Sequence, residues 1–159
     1  MAMGHTSLPR GMAHRRLGGR VKLRWYQEKS IERTQEEWEA GNNRVVVVLP
    51  TGMGKTFIFA FMAVKMAREG KRVVILVNRD VLVQQTVGEV RTLNSILAKS
   101  GMGFEGRIGI VRGADNQVDA RIIVASVQTI QRLRRAEQIR NVSAVIVDEC
   151  HMSLTPQYR

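Results

Sequence analysis

Cysteine is almost missing from this chain: Cys150 stands alone among 159 residues. No internal disulfide can form, and a reducing compartment, the cytoplasm, is the expected location. A membrane-length apolar run is also missing, since the longest helical one, Phe57 to Val64, lies between Lys55 and Lys65 and is far too short to span. No internal repeat is present. Acid is scarce, with 14 Asp and Glu against 25 Lys and Arg, a formal charge of +11 and an isoelectric point near 11.0. That imbalance favours polyanionic partners, nucleic acid first, because phosphate contacts release condensed counterions.

The acid deficit is uneven. Ahead of Trp25 stand Arg10, Arg15, Arg16, Arg20, Lys22 and Arg24 with no carboxylate, and Gly4, Gly11, Gly18 and Gly19 interrupt any periodicity. Residues 1–22 therefore read as a flexible basic arm. Two other readings stay open: leader sequence upstream of a start at Met12, or an arginine-rich targeting peptide. The remainder, 23–159, is one domain, and a 44% hydrophobic content suits a globular core.

From Trp25 the pattern becomes regular. A helix is expected from Trp25 to Ala40, with Glu36, Glu37 and Glu39 outward and Gly41-Asn42-Asn43 as its end. Apolar runs at Val45–Leu49, Val73–Val77, Ile108–Val111, Ile122–Ala125 and Ala144–Val147 read as strands buried on both faces. Helices are expected between them at Lys55–Glu69, Val81–Ala98 and Thr129–Gln138, the first capped by Gly70. Strand and helix in succession imply an α/β fold with a doubly wound parallel sheet, every strand ending on one edge.

Two stretches on that edge carry chemistry. In "VVVVLPTGMGKTF", Gly52 and Gly54 allow a tight turn into a helix start, where free N–H groups and the macrodipole favour an anion. A polyphosphate fits Thr51, Gly52, Met53, Gly54, Lys55 and Thr56, with Lys55 reaching the outer phosphates and the Thr56 hydroxyl placed for magnesium. The strict phosphate-loop pattern has glycine where this chain has Leu49. In "SAVIVDECH", a strand ends in adjacent carboxylates: Asp148 suits the magnesium shell, and Glu149 suits activation of the attacking water. A plain helix cap is the competing reading of that pair.

The strings "LPTGMGKT" and "VDECH" resemble motifs I and II of superfamily 2 helicases and translocases, the DEAD/DEAH-box relatives. "LRWYQ" is similar to the Q-motif region, "VNRDVLVQQ" to motif Ia, and "IIVASVQTIQR" to a later nucleic-acid-contacting motif. The likeness runs from Leu23 onward and leans toward the type III restriction subunit group and DNA helicases, with Cys150 and His151 departing from the RNA-directed pattern. It implies a RecA-like P-loop NTPase domain using ATP and Mg2+. It also implies adenine recognition by Gln27 and sequence-independent nucleic-acid contacts, DNA before RNA, at Arg79, Gln84, Ser126, Gln128 and Thr129. Trp25 and Tyr26 can stack on a base or fill the core. Arg132, Arg134, Arg135 and Arg140 add charge nearby.

The same resemblance implies parts beyond Arg159: a further strand between the Val45–Leu49 and Ala144–Val147 strands, and a second motor domain. The domain thus reads as incomplete at its C-terminal side, and those two strands are expected either to leave a gap or to pair directly. Helicase activity is not readable from one half-motor. Two rival readings are another P-loop ATPase, and a non-catalytic nucleic-acid-binding fragment with a vestigial nucleotide site.

Overall fold

The computed structural model describes residues 22–132 and 135–149. The basic arm apart from Lys22, together with Arg134, Cys150 and His151, lies outside the described residues. Helix α1 spans Trp25–Glu39, α2 Lys55–Arg68 and α3 Asp80–Ala98. Strands β1 Val73–Val77, β2 Ile108–Arg112, β4 Ile122–Ser126 and β5 Ala144–Val147 run parallel, and the two-residue β3, Asp115–Asn116, returns antiparallel beside β2. The order across the sheet is β3-β2-β4-β1-β5. Each expected element from Val73 to Ala125 stands within one residue of its expected bounds.

Local chemistry explains most boundaries. α2 ends because Gly70 adopts φ 84, which lets Lys71 N–H reach back to Met66 O at 3.0 Å. α3 buries Val83, Thr86, Val87, Val90, Leu93 and Leu97, the three-and-four spacing that puts one stripe against a sheet. Beyond α3, Asn94 holds the chain in both directions: its Nδ2 donates to Phe104 O at 3.2 Å and its Oδ1 accepts from Phe104 N–H at 2.9 Å.

The two faces of the sheet are covered unequally. Val73, Ile75, Val77, Ile108, Ile110, Ile122 and Val124 join α2 and α3 in the main core. The opposite face is a smaller cluster of Val74, Val111, Ala120, Ile123 and Ala125, packed by Val118, Ile130 and Ile139. Gly109 faces this thin side so closely that a Cβ would meet Gln117 O at 2.3 Å. The expected helix Thr129–Gln138 is instead a short α4, Val127–Arg132, and a 3-10 turn at Arg135–Gln138.

One expected strand is absent. Val45–Leu49 forms no sheet ladder, pairs neither with β5 nor with any other strand, and leaves Val46 68% and Val48 86% exposed. A buried parallel strand needs hydrogen-bonding neighbours on both sides, and the described sheet ends at β5. Apolar composition alone therefore did not make it a strand. Core burial is also not the fate of Trp25, which is 72% exposed with its ring edge-on to Tyr26 at 5.8 Å.

Candidate functional site

The parallel topology gathers the ends of β1, β4 and β5 on one edge, and the charge of Lys55, the first residue of α2, is felt there by Asp148. Gly52 and Gly54 both take left-handed backbone, φ 82 and 73, and Gly54 is the residue from which α2 begins. The first helical bond is Ile58 N–H to Gly54 O at 3.2 Å. The amides of Lys55, Thr56 and Phe57 therefore precede the ladder and face the loop. Thr51 and Gly52 are exposed, while Met53, Gly54, Lys55 and Thr56 are half-buried.

Gln27 comes to the same loop from α1. Its side chain is 7% exposed, its Oε1 accepts from Arg24 N–H at 3.0 Å, and its Nε2 lies where a Gly54 Cβ would be 2.7 Å away. The donor end of this buried amide thus looks onto the turn that precedes α2.

On the other side, β5 runs into Asp148 and Glu149. Asp148 N–H donates to Leu76 O at 3.0 Å, which extends the β1–β5 ladder, and Glu149 N–H donates to Asp148 Oδ1 at 3.0 Å. Glu149 is exposed and takes φ 56, an uncommon conformation for a non-glycine residue. Burial pushes the half-buried Asp148 carboxyl above its usual range, opposed by the Glu149 amide; the Glu149 charge raises it, the Lys55 charge lowers it and Glu89 raises it slightly. Lys55 and Asp148, remote in sequence, therefore act on one another electrostatically.

The remaining predicted site residues separate into two kinds. Arg79 precedes α3 in extended conformation and is exposed, as are Gln84 and Gln128. Ser126 and Thr129 are buried and turned inward. Ser126 Oγ donates to Thr129 Oγ1 at 3.0 Å and accepts Thr129 N–H at 3.1 Å, while Thr129 Oγ1 accepts from Gly113 N–H at 3.3 Å and reaches Asp80 Oδ1 at 3.5 Å. These hydroxyls cap α4 and tie it to the α3 start. Asp80, Arg112 and Gly113 were not singled out from sequence, yet Arg112 Nη1 donates to Asp80 O at 3.4 Å and completes this junction. Arg112 ends β2 on the same edge as the other strand ends, and that position after an apolar run was the signal that could have marked it.

A left-handed glycine turn opening α2 and a parallel strand, β5, ending in two acids are set into a mostly parallel sheet of the RecA-like class. The family model for the type III restriction enzyme, res subunit, matches residues 20–159. The chain belongs to that family, whose matched segment is the ATP-binding motor portion of such enzymes. It is 35% identical over 123 residues to the ATP-dependent DNA helicase Hel308 of Aeropyrum pernix, covering 75% of this chain and 16% of the relative. It is 32% identical over 145 residues to the ATP-dependent RNA helicase DHX58 of Mus musculus, covering 82% and 20%. This chain therefore spans a fifth or less of those relatives. The fold is shared with the UvsW helicase of bacteriophage T4 at a TM-score of 0.59 and 22% identity, over 84% of this chain and 45% of that one. Among the described residues, no helix is long and apolar enough to cross a membrane.

Proposed function

We propose that this chain is the ATP-binding half of an ATP-dependent motor that moves along nucleic acid, DNA in the first instance. The observation that carries the reading is the left-handed glycine turn that opens α2 at Lys55, with the buried Gln27 amide against Gly54. A lysine on a glycine loop and a carboxylate at a strand end have a common task in holding a metal-bridged triphosphate. The loop amides and Lys55 bind the phosphates, and Gln27 offers its Nε2 donor to the base.

The Thr56 hydroxyl and the Asp148 carboxylate are hard oxygen donors of the kind magnesium takes alongside substrate phosphates. Bound there, the ion would neutralise phosphate charge. Glu149, exposed beside Asp148, takes the role of orienting a water and accepting its proton in this reading. Arg79, Gln84 and Gln128 offer side chains to a phosphate backbone on the same edge, and such contacts carry no base information. Ser126 and Thr129 support that track from beneath. A second motor domain elsewhere in the protein would close the nucleotide cleft, and a cytoplasmic setting suits the single cysteine.

The relation to a DNA helicase and the restriction-subunit family favours DNA; the relation to an RNA helicase supports RNA as the second reading. ATP turnover of the longest natural form, measured with and without each nucleic acid, decides between them. Stimulation by DNA and its loss in Glu149→Gln with ATP binding retained are the expected results. Turnover indifferent to both polymers would favour an ATPase of another kind.

A further inference from the structure

The same topology that gathers the nucleotide site on one edge gathers the residues preceding the strands on the other. Ile108, Ile122, Val73 and Ala144 are register partners across β2, β4, β1 and β5. The residues before the first three are Arg107, Arg121 and Arg72. The ladder continues through this row, since Val73 N–H donates to Arg121 O at 3.0 Å and Ser143 N–H to Arg72 O at 2.8 Å. Three arginines thus occupy one register position on adjacent strands, about 5 Å from one to the next. Like charges so placed repel each other unless something compensates them.

Among the described residues, no carboxylate forms a salt bridge with any of the three. Arg72 is held by backbone carbonyls: Nε donates to Ala120 O at 3.2 Å, Nη1 to Arg140 O at 2.8 Å, and Nη2 to Val118 O. Arg121 Nη1 donates to Gly70 O. These bonds fix the guanidinium groups and leave their charge intact. Arg107 is exposed, and exposed Arg68, Lys71 and Arg140 flank the row. The nearby acids are Glu69, Glu105 and Asp119, of which Glu69 pairs with Lys71 at 2.8 Å, the one salt bridge among the described residues.

We infer that this end of the sheet is a second nucleic-acid surface, separate from the track at the strand ends, which takes the phosphate backbone of a duplex. Arg72 and Arg121, tied to carbonyls, hold their charge in place with little side-chain freedom left to lose, and the exposed Arg107 and Arg140 beside them are free to reach phosphates. A duplex presents charge densely enough to meet all of them at once. The inference rests on the proposed function only in taking nucleic acid as the partner.

The test uses the longest natural form without nucleotide, titrated with a short single-stranded oligonucleotide and with a long DNA duplex. Arg107→Ala combined with Arg140→Ala removes two exposed side chains outside the structural bonds above. Duplex affinity should fall and its log–log salt slope should flatten by about 0.9 per arginine, with short-strand and ATP affinities unchanged. Arg107→Lys should keep the slope, which separates charge from local structure. An unchanged duplex slope overturns the inference, as does equal loss on the short strand. Polyglutamate bound as tightly as duplex, with the same dependence on the two arginines, would mark an acidic-protein surface and overturn it too. Failure of the nucleotide reading would appear separately, as ATP affinity indifferent to Lys55.

Discussion

Gln27 and Gly54 are fitted to each other: the Gln27 amide nitrogen occupies the space that any side chain at Gly54 would need, 2.7 Å from a Cβ built there. Gly52, also left-handed, has nothing within 4 Å of its would-be Cβ. Alanine at either position carries the left-handed strain, about 1–2 kcal/mol. Only Gly54→Ala must also displace Gln27, which is held through Oε1 to Arg24 N–H. Equilibrium unfolding should show Gln27→Ala relieving part of the Gly54→Ala penalty and none of the Gly52→Ala penalty. Equal relief at both glycines would mean that Gln27 does not press on the loop.

Lys55→Ala should weaken ATP binding, since the triphosphate loses its closest cation. It should also change Asp148, whose carboxyl Lys55 now holds down against burial and Glu149. A binding titration with unchanged affinity would remove Lys55 from the phosphate site.

Asp148 gives the pH dependence. Burial holds its carboxyl above the ordinary carboxylate range in the folded chain. The stability tied to this group is therefore complete below the unfolded value and is lost as pH rises through the higher, folded value. Without nucleotide, Asp148→Asn should raise Tm at neutral pH, and the gain should shrink in acid. A gain that grows in acid would reverse the sign and place the charged form in favourable surroundings.

Arg79 and Thr129 lie on one edge but should fail differently. Arg79→Ala should lower affinity alike for unrelated sequences and flatten the salt slope by about 0.9 on duplex DNA, with little change in stability. Thr129→Val loses the bonds to Ser126, Gly113 and Asp80 and should cost about 1 kcal/mol of stability with the salt slope intact. A flattened slope in Thr129→Val would return that residue to direct phosphate contact.

Val46 and Val48 are exposed apolar side chains, and Val145 on β5, the last strand of the described sheet, adds an apolar border that is 55% exposed. Exposed apolar edges recruit further chain. The 159 residues by themselves should associate as concentration rises, and Val46→Lys with Val145→Lys should reduce it. A monodisperse chain with a sharp melt, unaffected by either change, would show that the border needs no cover.

Local pattern was enough for much of this molecule. The apolar runs at Val73–Val77 and Ala144–Val147, the stripe of α3 and the glycine that ends α2 all state their structure within a few residues, because helix period and capping are local physics. Gly52 to Thr56 and Asp148-Glu149 stand out in the same local way, by residue type, spacing and place after an apolar run, as the residues of the proposed nucleotide site. Tertiary structure decided the rest. Val45–Leu49 is as apolar as β1, but a strand exists only where neighbours take its backbone bonds, and that pairing is not written in the run itself. Ser126 and Thr129 carry the side chains of a phosphate holder and spend them inward, because the start of α3 at Asp80 and the turn at Gly113 meet Thr129 there. Arg72, Arg107 and Arg121 are scattered along the chain and become one row only through strand register, a long-range relation that no local window contains.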